Sequence, residues 1–160
     1  MLYFFKEHDG NDTVETISGR EKSMPFFQWK DSFNIGNAEI DRQHRSFLEM
    51  LNEYYDSGSG STKDHISGQL VVRIKEYAAM HFHFEEQLMR ESGYEGMERQ
   101  LKQHRYFESL VSDLESDQRE GRTDDLKRVL SLLKDWFLRH ILEEDKKYVS
   151  HLKPPRHGKP

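Results

Sequence analysis

At 160 residues, with no long low-complexity tract, the chain has the length of one domain built on one core. A net charge of -5, with 24 Lys and Arg spread among 29 Asp and Glu, excludes the dense basic surface that a phosphate backbone requires, so nucleic acid is not an expected partner. The absence of cysteine removes disulfides, thiolate metal sites and thiol catalysis together; any metal must sit among nitrogen and oxygen ligands, and nine histidines become the residues to account for.

Met1 to Phe5 is too short for a secretory leader and lacks its basic region, and no stretch approaches the roughly 20 apolar residues that cross a membrane. A cytoplasmic protein without a membrane segment is expected. Residues 1–24 carry no sustained period and read as an N-terminal arm, extended or partly disordered, of no legible role. Aromatic density then rises from Phe26, Phe27 and Trp29 towards Ile35 and Gly36, as in a segment packed on a bundle before its first helix. Asn37 is a candidate N-cap. The first helix is predicted from about Ala38 to Tyr55, with Ile40, His44, Phe47, Leu48 and Leu51 at spacings of three and four. Ser57-Gly-Ser-Gly-Ser-Thr62 is a short flexible linker.

The second helix is expected from near Lys63 to Ser92, burying Ile66, Leu70, Ile74, Ala78, His81, Glu85 and Leu88 or Met89 before a stop at Gly93. The third should span Gly96 to Arg119, with Met97, Leu101, His104, Phe107 or Glu108, Val111 and Leu114 inward, and Gly121 breaking it. Thr123 can cap the fourth, with Asp124 and Asp125 well placed against its dipole, and Pro154-Pro155 ends it after about Leu152. The fold class is therefore all-α: an up-down-up-down four-helix bundle over residues 25–152, followed by a disordered 153–160 tail.

Polar groups aimed at an apolar core must be satisfied by something. Each helix supplies at least one: His44 from the first, His81 and Glu85 four apart on one face of the second, Gln100 and His104 at the same spacing on the third, and His140 with Asp145 from the fourth. Imidazoles and carboxylates on facing helices are the donors with which bundle cores hold non-haem iron or manganese, and Glu85 and Asp145 are available to bridge two ions. His140 and Asp145 are five apart, which turns them about 140° from one another in a regular helix. A π-type widening or a long-reaching rotamer is expected between Leu138 and Asp145.

From Trp29 to Tyr148 the sequence resembles the hemerythrin family. The resemblance is carried in order by Ile40-Asp41-Arg42-Gln43-His44, by His81-Phe82-His83-Phe84-Glu85-Glu86-Gln87-Leu88-Met89, by His104, and by Trp136-Phe137-Leu138-Arg139-His140-Ile141 with Asp145 and Tyr148. It implies two non-haem iron ions, oxo- or hydroxo-bridged. His44 and His81 would bind one, nitrogen ligands of the third and fourth helices the other, and Glu85 and Asp145 would bridge them. The iron with fewer protein ligands would take dioxygen, or a small anion such as azide, in a pocket lined by Phe82, Trp136, Phe137 and Ile141. Asp41 is a candidate to orient the His44 imidazole, and Tyr148 to hydrogen bond near Asp145. Relatives present a further histidine where this chain has Gln100, a neutral amide that either coordinates weakly through its oxygen or leaves one iron open to solvent.

His83 lies on another face from His81, and His8, His65, His151 and His157 fall outside the inward stripes, so none is an expected ligand. What the resemblance implies is oxygen binding, storage or delivery. Its alternatives are an oxygen or redox sensor, and a di-iron peroxidase or nitric-oxide-handling activity arising from the change at Gln100. No feature of the sequence identifies a protein partner.

Overall fold

The first long helix starts where Asn37 turns its side-chain oxygen back onto the amides of Glu39 and Ile40, at 3.1 and 3.2 Å, satisfying donors that have no partner within the helix. In the computed structural model, which describes residues 25–58, 68–122 and 125–152, this helix, α1, spans Ala38–Gly58. It is followed by α2, Gly68–Ser92, α3, Met97–Arg119, and α4, Leu126–His140. The predicted arm, most of the Gly/Ser linker, His8, His65, His157, Thr123 and the 153–160 tail lie outside the described residues.

Two turns between helices use glycine for a physical reason. Gly93 and Gly121 both adopt φ of 67°, where a side chain would be strained. The following amides, Tyr94 N and Arg122 N, reach back to the carbonyls of Met89 (3.0 Å) and Asp117 (2.9 Å), which closes each helix end with a Schellman pattern. At the start of α4 the capping oxygen belongs to Asp125, which accepts from Lys127 N at 2.9 Å, so the cap lies two residues after Thr123. Asp125→Ala should lower stability by about 1 kcal/mol, the usual worth of such a cap, and chemical denaturation checks it through a lower midpoint at unchanged slope.

Consecutive helices are neighbours in space: α1 packs on α2 and α4, α2 on α3, and Phe107 meets Trp136 at 4.4 Å between α3 and α4. The result is the up-down-up-down bundle. Its stripes are nearly those expected. On α3 the buried series is Gln100, His104, Phe107, Val111 and Leu114, with Glu108 in solvent and Leu101 only half-buried, so the helix is rotated slightly towards Gln100. The segment before α1 is held by a reciprocal pair, Phe27 N to Asn52 Oδ1 and Asn52 Nδ2 to Phe27 O, both 2.8 Å, and Phe26 stacks on Tyr55.

Antiparallel alternation sorts the interior by chemistry. The later part of α1, the early part of α2, the later part of α3 and the early part of α4 meet at one end and bury Leu51, Leu70, Ile74, Val111, Leu114, Leu126, Val129, Leu130 and Leu133. At roughly 1.5–3 kcal/mol for each large apolar side chain, that end supplies much of the driving force for folding. The opposite halves of the same helices bring His44, His81, Glu85, Gln100, His104, His140 and Asp145 together, all buried. Among the described residues no helix is long and apolar enough to cross a membrane.

Candidate metal centre

The last helix accommodates the five-residue interval by widening. Ile141–Asp145 forms a π turn, closed by Lys146 N–H reaching the Ile141 carbonyl five residues back, before α-helix resumes at Lys146–Val149 (α5). Asp145 is thereby carried onto the face that His140 occupies, and both are buried.

The resulting arrangement is two pairs of imidazoles joined by two carboxylates. His44 and His81 form one pair, ring centroids 4.9 Å apart; His104 and His140 form the other, at 5.3 Å. Glu85 Oε2 lies 3.6 Å from His81 Nε2 and 3.3 Å from His104 Nε2, one nitrogen from each pair. Asp145 does the same from the other side, with Oδ2 at 3.4 Å from His44 Nε2 and Oδ1 at 3.1 Å from His140 Nε2. Donor atoms of His44, His81 and Glu85 fall within 4.8 Å of one another, as do those of Glu85, His104 and His140, so Glu85 belongs to both groups.

For two of the four rings, neighbouring groups fix which nitrogen faces inward. His81 Nδ1 donates to Gln43 Oε1 at 2.9 Å, and His104 Nδ1 donates to Glu86 Oε1 at 3.0 Å. With the proton on Nδ1, a neutral ring turns the Nε2 lone pair towards the centre, which is how proteins prepare histidine for a metal. Glu85 Oε1 accepts from the Tyr148 hydroxyl at 2.7 Å. The Tyr148 hydroxyl therefore serves Glu85, the carboxylate that faces Asp145 across the centre. The carboxylate of Asp41 is occupied by the amides of Ile35 (2.7 Å) and Gly36 (3.3 Å) and makes no hydrogen bond to His44, so it pins the entry to α1. Gln43 and Glu86 were not legible as partners; each stands next in sequence to an inward residue, His44 or Glu85, about 100° round its helix and therefore towards the neighbouring one.

Gln100 is buried beside Asp145, and its Nε2 donates to Asp145 Oδ1 at 2.7 Å. That bond orients the amide, since its oxygen would repel the carboxylate. The oxygen, Oε1, is left buried without a partner.

Aromatic rings enclose the array. Phe82 lies face to face with His104 at 3.9 Å and Trp136 with His140 at 4.7 Å, while Phe137 meets His44 edge-on at 5.3 Å and Ile141 is fully buried. His83 and His151 are exposed. Electrostatics follow from this enclosure. Burial holds His81 down at about 4, keeping it neutral. Burial and Asp145 push Glu85 up, but His81, His104 and His140 outweigh them and hold it below its ordinary value. Asp145, which burial alone would raise, is kept well below its ordinary value by His140 and His44, and in return Asp145, Glu85 and Glu144 lift His140 despite its burial. Burial, then Glu85 and Asp145, drive the Tyr148 hydroxyl far upward, so it remains a donor.

What this cage lacks is a partner for its inner atoms. His44 Nε2, His81 Nε2, His104 Nε2, His140 Nε2, Glu85 Oε2, Asp145 Oδ2 and Gln100 Oε1 are all buried without a hydrogen-bond partner. Orphaned polar atoms cost about 1–3 kcal/mol each, more for charged groups, and so many converging in one place call for a cation rather than for a packing explanation. The family model described as the hemerythrin HHE cation binding domain matches residues 36–152. This chain belongs to the hemerythrin family. It is 32% identical over 132 residues to a bacteriohemerythrin of Stenotrophomonas maltophilia, covering 81% of this chain and 84% of the relative. It is 33% identical to a bacteriohemerythrin of Pseudomonas aeruginosa, covering 79% and 81%. Its fold matches a solved structure of wild-type hemerythrin with a TM-score of 0.72 at 24% identity, over 81% of this chain and 99% of that one. Hemerythrin membership implies non-haem iron, and the all-nitrogen-and-oxygen donor set fits it.

Proposed function

We propose that residues 25–152 hold two non-haem iron ions and bind dioxygen, with small anions such as azide as competing ligands. His44 and His81 would hold one iron and His104 and His140 the other, with Glu85 and Asp145 bridging. The observation that carries the reading is that each carboxylate approaches one imidazole nitrogen from each pair. When bound, a ferrous pair supplies two electrons that can be transferred to dioxygen and recovered on its release.

The chain's own residues decide whether that exchange is reversible. Gln43 and Glu86 hold His81 and His104 in their ligating tautomer, and Tyr148 holds Glu85. Phe82, Trp136, Phe137 and Ile141 wall the centre with apolar surface and limit the entry of water and of anions that would drive irreversible oxidation. At the remaining position, Gln100 offers Oε1 as a seventh donor, weaker than an imidazole, while its Nε2 stays on Asp145.

Iron analysis followed by anaerobic reduction and exposure to air tests the proposal. Two irons per chain, and a visible absorption band that appears in air and fades under argon over several cycles, are expected. A single oxidation that argon does not reverse would remove oxygen carriage, and fewer than two irons would remove the di-iron centre itself.

A further inference from the structure

Every buried polar side-chain atom without a partner among the described residues belongs to one of the seven residues discussed above, with one exception. The exception is the hydroxyl of Tyr77. Although the tyrosine ring is partly exposed, its oxygen is sealed from solvent and donates to nothing. Tyr148, the other tyrosine reaching the centre, has its bond to Glu85.

Tyr77 stands one turn before His81 on α2, and the two rings stack at 5.2 Å with 24° between their planes. Phe47 at 4.8 Å and Phe137 at 6.3 Å complete its surroundings, and Phe137 in turn touches His44. Tyr77 thus forms the floor under the His44–His81 pair, the half that Gln100 does not serve. After burial itself, the charges acting most strongly on its hydroxyl are those of Glu85 and Asp145. It is a protic group set among the apolar rings of Phe47 and Phe137.

A buried hydroxyl left unsatisfied costs about as much as the hydrogen bond it lacks, and replacing it by an apolar isostere is then neutral or stabilising. A phenol in such a place is explained by an acceptor that arrives with the bound state. We infer that the Tyr77 hydroxyl donates a hydrogen bond to the small exogenous ligand, anionic or dioxygen-derived, taken up on the His44–His81 side, and so sets that site's preference for ligands with a negatively charged terminal atom.

The inference rests on the di-iron reading, and the test separates the two. Iron-loaded, oxidised protein and its Tyr77→Phe variant are titrated with azide by visible absorption, and the azide stretch is recorded by infrared in H2O and D2O. The variant should keep its full iron content and bind azide roughly ten- to a hundredfold more weakly, the range that a hydrogen bond to a charged acceptor corresponds to. It should also lose a D2O shift of the stretch that the unaltered protein has. In the metal-free state it should melt no lower than the unaltered chain, a readout independent of iron. Equal azide affinity and an unchanged stretch with full iron in both would overturn the donor role, and so would loss of iron confined to the variant, which would make the phenol a ligand. Absence of iron from both proteins would instead overturn the di-iron reading and this inference with it.

Discussion

Glu85→Gln is expected to leave the bundle folded while removing most of its bound iron. The carboxylate has two duties: Oε1 accepts from Tyr148, and Oε2 faces His81 Nε2 and His104 Nε2 at 3.6 and 3.3 Å. Glutamine preserves the first, because its carbonyl oxygen can take the Tyr148 bond. It then turns an NH2 group towards the two imidazole nitrogens, both of which have lone pairs to accept it. Two orphaned nitrogens gain a partner, a buried charge disappears, and the metal-free variant should match or exceed the unaltered chain by about 1 kcal/mol. The same two bonds place hydrogen atoms where cations would have to sit, and a neutral amide cannot bridge. Iron content should fall from two per chain to below one. Binding to the folded state adds about 2.7 kcal/mol at a ligand concentration a hundred times the dissociation constant, so the unaltered protein should melt markedly higher with ferrous iron. The variant should show no such rise. Calorimetry with and without iron under argon reads both effects, and full iron retention by Glu85→Gln would dismiss Glu85 as a bridge.

That expectation depends on Tyr148 reaching Glu85, which the sequence did not disclose. Spacing within one helix is legible because the helical repeat is fixed: His81 and Glu85 had to share a face, and His140 and Asp145 needed either a long-reaching rotamer or the π turn that is present at Ile141–Asp145. The helices themselves were legible from apolar periodicity, and their alternation put the polar ends together. Which group answers which across helices depends on axial stagger and rotation, to which no repeat within a helix is sensitive. Thus Tyr148, placed near Asp145 by the family resemblance, donates to Glu85, and Asp41, three residues from His44, turns instead to the Ile35 and Gly36 amides. Nothing in the sequence of so highly charged a chain sets Gln43 and Glu86 apart, and only their hydrogen bonds to His81 and His104 distinguish them. Tyr77 was hidden for a different reason. An aromatic residue at core spacing satisfies the apolar pattern whether or not its hydroxyl has a partner.

Gln100→His should slow oxidation of the ferrous centre in air, on the order of tenfold, the lower end of what changes around a metal site produce. Gln100 donates through Nε2 to Asp145 and has only Oε1 left to offer, a neutral oxygen in place of an imidazole. The iron on the His104–His140 side would then be held more loosely than its partner and exchange solvent more readily. Histidine would add a nitrogen donor but give up the 2.7 Å bond that steadies Asp145, so its gain is partial. Gln100→Leu loses both the oxygen and the bond, and should oxidise at least as fast as the unaltered protein. Mössbauer spectra separate ligation from positioning. If Oε1 is a donor, the signals of the two irons should differ in the unaltered protein, change for one iron in Gln100→His, and diverge further in Gln100→Leu. If Gln100 only positions Asp145, both irons should respond together in either variant, because Asp145 touches both imidazole pairs. Equal oxidation rates and equal azide affinities for the unaltered protein and Gln100→His would remove Gln100 from the control of oxidation and of anion entry.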